Sequence, residues 1–378
     1  MPHVAFCITE LDSGGAERAL ARIATGLHER GRRVSVVALA GGGELVDELR
    51  RHGIETDCLG LTKWNLPVVF ARLVGRWRRD RPDVVQSFLF HGNIIGRIAA
   101  RAAGVGVVCS GIRVAERRGR MRLLLDRLTD RLVDRHVCVS RAVAEDARVR
   151  GGLPASKLVT IPNGVDLERY ESASPIFPRD LGFAPPRFLL WAGRLDPQKD
   201  PQLAIEIFAA VASGVGDVGL LMVGEGPLRP ELEAMIAAKG LRDRVALPGR
   251  RDDLPTLYRS AEAFLLTSRW EGMPNVVLEA MASGCPVVAA DVEGVRELLG
   301  DADERGTVVS GRSPQKFAKV LSGLLNGSPD FTSKSTEATR YVRERHSWDG
   351  VFDAYVSLFE ALLDAESRPS RAKQRPPS

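Results

Sequence analysis

Two short apolar runs in the second half of the chain, separated by a polar loop and one helix, most constrain the fold. Residues 263–267 (AFLLT) and 286–290 (PVVAA) are short, almost wholly apolar segments that suit buried strands. Between them, Pro274 and Asn275 predict the start of a helix with Asn275 as its N-cap, and Gly284 predicts its end. A strand–helix–strand unit of this kind predicts an α/β fold with a parallel sheet.

The same alternation of apolar strands and helical segments runs through most of the chain and predicts doubly wound parallel sheets. A chain of 378 residues exceeds what one hydrophobic core usually supports, so we expect two domains. The predicted strands are 3–9, 34–40, 54–59, 83–88, 136–139, 158–161, 188–192, 219–223, 245–247, 263–267 and 286–290.

Composition places the domain boundaries. A stretch rich in Pro and Ser follows residue 170 and is typical of an interdomain linker, and the last residues are polar and Pro-rich, which predicts disorder. The predicted parts are an N-terminal domain at 1–170, a linker at 171–186, a C-terminal domain at 187–345, a helix at 346–366 and a disordered tail at 367–378.

Charge and composition indicate a globular protein with an anionic partner. The chain is 44% hydrophobic and 27% charged, with a net charge of +5 whose basic excess lies in the first half. It has no apolar run of the roughly 18 residues that a spanning helix needs, and no signal-peptide pattern at its start, so we expect a cytoplasmic location. The five cysteines form no CxxC pair or Cys/His cluster and are interpreted as core residues.

Two carboxylates, eight residues apart, flank the start of the helix between the two apolar runs. Glu271 lies in the preceding loop and Glu279 about one turn into the helix. Carboxylates accept hydrogen bonds from sugar hydroxyls, and backbone N–H groups at a helix start suit a phosphate or sugar oxygen. Taken singly, either glutamate is better explained as a solvated residue of the loop or helix surface.

A basic loop follows the predicted strand 188–192. Arg194 and Lys199 stand beside Gly193 in the sequence GRLDPQKD. Exposed basic loop residues are usually only solvated, but the fork of an arginine and the mobile charge of a lysine together suit a diphosphate whose charge grows during transfer. We therefore interpret the loop as a candidate diphosphate site.

Two places in the first half also follow predicted strands. Gly14 and Gly15 let the backbone approach a ligand at the positive end of the next helix, although the segment is not GxGxxG and does not support a dinucleotide site. His91 and Asn93 follow the strand 83–88. The imidazole of His91 can contact a substrate near neutral pH, or simply make a hydrogen bond within its loop.

The segment 112–135 is the most basic part of the chain. Its apolar side chains share one helical face that we expect to face the core, with Arg127 and Arg131 paired on the surface to Asp130 and Asp134. Other arginines just before have fewer acids nearby and are the better candidates for a lipid diphosphate or anionic headgroups. The apolar residues are Met121, Leu124, Leu125, Leu128 and Leu132, and the arginines are Arg113, Arg117, Arg118, Arg120 and Arg122.

The run EGMPNVVLEAMASGCPVVA, which begins at Glu271, resembles the EX7E signature of glycosyltransferase family 4, a group of retaining enzymes with the GT-B fold. The resemblance implies two facing Rossmann-like domains with a cleft between them and a C-terminal helix that packs back on the N-terminal domain. It also implies that Glu271 contacts the donor sugar, that Glu279 contacts the donor ribose, and that the intervening backbone binds sugar and diphosphate. The donor-binding backbone comprises Gly272, Met273, Pro274, Asn275 and Val276.

Other segments are similar to the same family. GRLDPQKD resembles its diphosphate-binding segment, which implies that Arg194 and Lys199 bind the diphosphate. Gly14 and Gly15 match a GGAE-type segment that faces the donor. The resemblance further places Glu225 beside the donor and His91 at the active site. From the charge pattern and the position after the strand 83–88, we also expect Arg113, Arg117, Arg118 and Asn93 near the acceptor. Where the family often has Gly-Gly, this chain has Glu293-Gly294.

These features together predict a retaining glycosyltransferase in which His91, Glu271, Arg194 and Lys199 are catalytic. The expected donor is a UDP- or GDP-sugar, and the expected acceptor is a hydroxyl of a lipid-linked saccharide in surface polysaccharide or glycoconjugate assembly. Protein cations would replace a metal, so we expect no metal or other cofactor and no nucleic acid partner. We also expect peripheral association with an anionic membrane at the inner face of the cytoplasmic membrane.

Three alternatives remain at this stage. A nucleotide-sugar 2-epimerase would share the two-domain architecture, and a non-catalytic nucleotide-sugar sensor would bind donor without turnover. An NAD oxidoreductase fits the α/β pattern but lacks GxGxxG and an acidic residue closing its second strand.

Overall fold

The computed structural model describes residues 2–12, 14–115, 119–176 and 183–367, and divides them into two compact units. The first unit comprises the described parts of Met1–Asn163 and Trp348–Ser378, and the second unit lies within Gly164–Ser347. The second unit begins before the boundary expected at residue 170, because the ring of Tyr170 packs against that of Tyr258 at 6.1 Å between centroids. Residues 177–182 of the expected linker and 368–378 of the tail lie outside the described residues.

Each unit is built on one parallel sheet, which confirms the predicted α/β fold. The first sheet has the order β3-β2-β1-β4-β5-β6-β7 and the second the order β10-β9-β8-β11-β12-β13. Strands β5 and β13 were not among the predicted strands. The strands are β1 His3–Ile8, β2 Arg33–Ala38, β3 Glu55–Cys58, β4 Val84–Phe88, β5 Val107–Ile112, β6 Arg135–Cys138, β7 Leu158–Thr160, β8 Arg187–Ala192, β9 Val218–Val223, β10 Val245–Gly249, β11 Ala263–Leu266, β12 Val287–Ala290 and β13 Thr307–Val309.

Helices connect successive strands, so the carboxyl ends of all strands in a sheet share one edge. The helices are α1 Gly15–Glu29, α2 Glu44–Arg51, α3 Leu66–Asp80, α4 Phe90–Ala103, α5 Arg120–Thr129, α6 Arg141–Val149, α7 Leu167–Glu171, α8 Pro201–Ala212, α9 Arg229–Ala238, α10 Leu254–Ser260, α11 Asn275–Ala282, α12 Val295–Leu299, α13 Pro314–Leu325, α14 Asp330–Arg345 and α15 Trp348–Ser367.

The last helix, α15, belongs to the first unit and packs against α1 and β5. Phe352, Tyr355 and Phe359 are buried in this contact, and Tyr355 and Phe359 join the apolar cluster on one face of the first sheet. The guanidinium of Arg30 lies 4.5 Å from the centroid of the Phe352 ring. The core of the first unit is therefore assembled from both ends of the chain.

Gly26 in α1 allows this close contact, because a Cβ atom at that position would overlap the ring of Phe352. We expect Gly26→Ala to lower the free energy of unfolding of the first unit by about 1–3 kcal/mol through overpacking. Gly75→Ala in α3 is the matched control. Nothing lies within 4 Å of its added Cβ, so it should raise stability by about 0.5–1 kcal/mol through helix propensity. Urea denaturation measures both, and equal effects would contradict the packing argument.

Helix α5 differs from its prediction. The expected core-facing residues Met121, Leu124 and Leu128 are exposed, and α5 has no buried side chain among the residues that the structure describes. The inward face is polar instead, because Arg97 on α4 is fully buried and donates to the carboxylate of Asp126 at 2.9 Å. The prediction of an apolar core-facing stripe was therefore wrong.

Candidate functional site

A lysine and a glutamate meet at the carboxyl ends of two neighbouring strands of the second sheet. Lys199 follows β8, Glu271 follows β11, and these strands are hydrogen-bonded neighbours. The Nζ atom of Lys199 donates to Oε1 of Glu271 at 2.6 Å, and the hydroxyl of Ser268 donates to the same oxygen at 2.6 Å. Glu271 is buried whereas Lys199 is partly exposed, so the pair presents a cation at this edge of the sheet.

A buried hydrogen-bond network fixes the loops that carry this pair. The indole Nε1 of Trp191 donates to the hydroxyl of Thr267 at 2.9 Å. That hydroxyl lies 2.9 Å from each of the main-chain carbonyl oxygens of Lys199 and Asp200. Because Thr267 is fully buried, the network ties the loop after β8 to the end of β11 and sets the position of Lys199.

Asp200 and Arg312 form a second support that the sequence analysis missed. Nη2 of Arg312 contacts Oδ2 of Asp200 at 2.5 Å, and the same guanidinium donates to the carbonyl oxygens of Thr267 and Ser268 at 2.5 and 3.0 Å. Arg269 adds a second cation, 3.0 Å from Oδ2 of Asp200. Asp200 has a left-handed backbone conformation with φ of 47°, which is uncommon outside glycine, so these contacts hold a strained loop.

Arg194 lies at the mouth of the same loop. Its Nε donates to Oδ2 of Asp196 at 2.6 Å, while Oδ1 of Asp196 accepts from the backbone N–H of Lys199 at 3.1 Å. The side chain of Arg194 is 67% exposed and that of Asp196 is 9% exposed. Asp196 therefore orients the guanidinium without burying it, and the cation stays available to a ligand.

Helix α11 begins at Asn275, but its N-cap residue is Pro274, which has an extended backbone, and not Asn275 as predicted. The helix starts one residue earlier than predicted, because Asn275 already has helical backbone geometry. Pro274 can stand before the first turn because it has no backbone N–H group that would need a partner there. Gly294 approaches the loop before the helix so closely that a Cβ atom there would overlap the carbonyl of Gly272. Where the family often has Gly-Gly, this chain therefore keeps the second glycine, Gly294, whose position has no room for a side chain.

Glu279 points towards two tyrosines that the sequence analysis did not identify. The hydroxyl of Tyr258 donates to Oε2 of Glu279 at 3.2 Å, and Tyr170 makes a side-chain hydrogen bond to the same carboxylate. Burial, with the nearby Glu279 carboxylate, raises the pKa of both tyrosines above the ordinary value, so both hydroxyls remain protonated donors. The carboxylate of Glu279 is thus held in place by two neutral hydroxyl groups.

Glu225 follows β9, the neighbour of β8 on its other side. Its Oε1 accepts from Nη1 of Arg229 at 2.9 Å, and Arg229 also donates to the carbonyl oxygen of Leu247 at 2.7 Å. The structure places Glu225 at the same edge of the sheet as Lys199 and Glu271. Its predicted role in donor binding stays a prediction.

In the first unit, Gly14 and His91 lie at the carboxyl ends of the adjacent strands β1 and β4. Gly14 is the N-cap residue of α1, and Gly15 is its first residue. His91 lies in the first turn of α4 and is exposed, rather than in a loop before the helix. Partial burial and the guanidinium of Arg122 lower the pKa of His91, and the carboxylate of Glu10 opposes this only in part. The lowered pKa favours a neutral imidazole at pH 7.

Two of the four predicted acceptor residues, Asn93 and Arg113, are described by the structure, and both have partners within the first unit. The amide of Asn93 is buried and fully engaged: its Oδ1 accepts from Ser87 at 2.9 Å and its Nδ2 donates to the carbonyl of Gly111 at 2.9 Å. This contact joins β4 to β5 and gives Asn93 a structural task. Arg113 donates to Asn163 and lies 5.3 Å from the ring of Phe88, and burial lowers its pKa. The remaining two, Arg117 and Arg118, lie outside the described residues.

No group of three or more His, Cys, Asp or Glu side chains in the part of the chain that the structure describes is arranged to hold a metal ion. No helix within the same residues has the length and apolar character to cross a membrane.

Comparison with known proteins agrees with these features. A family model described as glycosyltransferase family 4 matches residues 13–169, and one described as glycosyl transferases group 1 matches residues 186–327. The crystal structure of Anabaena HepE in complex with UDP has a TM-score of 0.84 at 22% identity, covering 96% of this chain and 100% of that chain. The glycosyltransferase WaaG, involved in lipopolysaccharide biosynthesis, gives a TM-score of 0.72 at 21% identity, covering 97% and 100%.

Two curated relatives show similarity in sequence. The UDP-Gal:alpha-D-GlcNAc-diphosphoundecaprenol alpha-1,3-galactosyltransferase of Escherichia coli is 28% identical over 66% of this chain and 68% of that protein. The D-inositol 3-phosphate glycosyltransferase of Salinispora tropica is 28% identical over 95% of this chain and 83% of that protein.

Two parallel α/β units match the GT-B fold class. Within that class, the chain carries a glycosyltransferase family 4 domain in its first half and a glycosyl transferases group 1 domain in its second, and its activity is that of a hexosyltransferase.

Proposed function

We propose that the enzyme transfers a hexose from a nucleotide sugar to a hydroxyl group of a lipid-linked saccharide, with retention of configuration at the transferred carbon. The observation that carries this proposal is the arrangement at the edge of the second sheet. There, the exposed guanidinium of Arg194 and the ammonium of Lys199 share one loop, and Glu271 accepts from Lys199 at 2.6 Å.

The chemistry of the proposed donor site follows from these groups. Departure of a nucleoside diphosphate adds negative charge to the phosphate oxygens, and Lys199 and Arg194 are cations held in place before that charge develops. We assign Glu271 to the hydroxyls of the donor sugar and Glu279 to those of the ribose. Backbone N–H groups at the start of α11, from Met273 to Val276, would bind the sugar and diphosphate oxygens.

Relatives suggest the donor and the acceptor. The structures of HepE are titled as complexes with UDP and with UDP-glucose, and the E. coli relative is named for transfer from UDP-Gal to GlcNAc-diphosphoundecaprenol. We therefore propose a UDP-sugar as the first donor to test and a diphosphate-linked lipid saccharide as the acceptor class. A cytoplasmic enzyme acting at the inner membrane face fits this acceptor and stays a prediction.

The direct test is a panel of UDP-, GDP- and ADP-sugars, measured by thermal shift and by nucleotide release with EDTA present. A ligand that binds only the folded state raises the melting temperature, so one donor should stabilise the protein. Nucleotide release that depends on a membrane extract would support transfer to a lipid-linked acceptor. Binding without release under every condition would favour a sensor, and conversion of the donor sugar without release would favour an epimerase.

Glu279→Gln is expected to weaken UDP binding about tenfold, because a neutral amide replaces a charged acceptor in hydrogen bonds to the ribose. Isothermal titration with UDP measures the change. Glu337→Gln on α14, whose carboxylate pairs with Arg340 on the same helix, is the matched control and should bind UDP like the wild type. Wild-type affinity in Glu279→Gln would remove Glu279 from the ribose site.

A further inference from the structure

Helix α5 carries an apolar stripe that the fold leaves outside the core. Met121, Leu124 and Leu128 are 66%, 47% and 61% exposed and recur at helical spacing along one side of α5. The large apolar side chains that are exposed in the described chain all belong to the first unit, and these three form its largest group on one helix. Such a stripe usually marks an interaction surface.

Buried polar contacts fix the orientation of this helix. Arg97 on α4 donates to the side chains of Asp126 and Thr129 on α5, both at 2.9 Å, and Arg97 itself is fully buried. A polar anchor of this strength costs stability when it is broken, so α5 cannot easily rotate to bury its leucines. The outward direction of the stripe is therefore built into the fold.

The acids of this region are used internally, which leaves the outer face basic. Asp130 contacts His136 at 2.9 Å and Lys157 at 3.1 Å, and Asp134 contacts Arg101 at 2.7 Å. The surface pairs expected from the sequence, in which Asp130 and Asp134 would neutralise Arg127 and Arg131, do not form among the described residues.

Exposed arginines lie beside and just after the apolar stripe. At about 100° per residue, Arg120 and Arg127 occupy the sector of α5 next to Met121, Leu124 and Leu128. Arg131, also exposed, follows in the short 3₁₀ turn Asp130–Leu132. A surface with apolar residues bordered by arginines matches the boundary between the acyl chains and anionic headgroups of a bilayer. A second copy of the chain fits less well, because a twofold contact would set this basic face against itself.

We propose that the outer face of α5, formed by Met121, Leu124 and Leu128 with Arg120 and Arg127, docks the enzyme on an anionic bilayer together with Arg131 in the turn that follows. The docking surface itself is argued from α5 and its contacts. The purpose of docking, which is to bring the enzyme to a lipid-linked acceptor, rests on the proposed function. Helix α4 packs against α5 and carries His91 in its first turn, so docking would bring that turn close to the membrane surface.

The test is co-sedimentation of the full chain with vesicles at low ionic strength. Vesicles of equal parts phosphatidylcholine and phosphatidylglycerol should bind the protein, and vesicles of phosphatidylcholine alone should bind it weakly. The double variant Leu124→Ser/Leu128→Ser should lower the partition coefficient at least about tenfold. Arg127→Gln/Arg131→Gln should lower it by about fivefold for each arginine removed.

Leu124→Met/Leu128→Met keeps the apolar surface and should bind like the wild type. Melting temperatures should not change in any variant, because these side chains are exposed. Wild-type protein that stays in the supernatant with anionic vesicles, or a double serine variant that sediments like the wild type, would overturn the proposal. Loss of a concentration-dependent dimer in the serine variant, measured without vesicles, would also overturn it by making the face a self-association surface.

UDP binding, measured by isothermal titration without vesicles, separates this proposal from the proposed function. The α5 variants should bind UDP like the wild type while losing vesicle binding. If the wild type binds vesicles but neither binds nor turns over any nucleotide sugar, the proposed function fails and the docking surface stands.

Discussion

Lys199→Ala is expected to lower turnover by about 10²–10³-fold, because it removes a fixed cation from the place where leaving-group charge develops. The alanine variant also leaves the buried carboxylate of Glu271 with Ser268 as its remaining side-chain donor, so we expect a stability loss of about 1–3 kcal/mol. Nucleotide release at saturating donor measures the first effect, and thermal unfolding measures the second.

Two control variants make this prediction specific. Lys199→Arg keeps the charge and should retain part of the activity, while Lys239→Ala removes an exposed lysine at the end of α9 and should change neither quantity. Unchanged turnover in Lys199→Ala with an intact melting curve would show that this lysine has no part in transfer.

Arg312→Ala is expected to destabilise the second unit by about 2–4 kcal/mol and to lower turnover as well. The substitution leaves the buried carboxylate of Asp200 with one cation, Arg269, and removes the side-chain donor from the carbonyl oxygens of Thr267 and Ser268. The loop after β8 would then relax from its left-handed turn at Asp200 and displace Lys199.

Urea denaturation and steady-state kinetics together test the role of Arg312. Because Arg312 supports Lys199 rather than contacting the substrate, Arg312→Ala should lower kcat more than it raises KM for the donor. Arg312→Lys keeps one charged donor and should recover part of both losses. Arg340→Ala, which removes an exposed arginine paired with Glu337 on α14, is the control. A folded Arg312→Ala enzyme with wild-type kcat would refute the positioning role.

Most sheet-forming strands were predictable because they are short, largely apolar runs with buried side chains, although β3 and β7 are only partly buried. Strand β13 was missed because only three residues, Thr307–Val309, form it, and it is defined by pairing with β12. No local periodicity can be read from so short a segment.

Helix α5 shows why a correct periodicity can still give a wrong orientation. The sequence pattern distinguishes an apolar side from a charged side, and the usual rule buries the apolar one. Here the fully buried Arg97 binds Asp126 and so turns the charged side of α5 inward. Arg97 belongs to α4, so the sequence of α5 alone contains no sign that a buried arginine faces it.

The candidate site was predictable where its residues lie within one motif and not where they come from distant segments. Arg194, Lys199 and Glu271 were identified from local sequence and chemistry, and the structure brings Lys199 and Glu271 into contact. Arg312 lies 112 residues from Asp200, and only tertiary structure joins them. Tyr170 and Tyr258 were missed for the same reason, since aromatic residues in a helical pattern give no sign of a carboxylate partner.

The place of α15 in the first unit has a consequence for the order of synthesis. Phe352, Tyr355 and Phe359 belong to the core beside α1, yet they are translated only after the entire second unit, Gly164–Ser347. The second unit is one continuous stretch and can complete its own core as it leaves the ribosome. The first unit is begun earliest and finished last, so the part of α1 that contacts α15 stays uncovered until the final helix emerges.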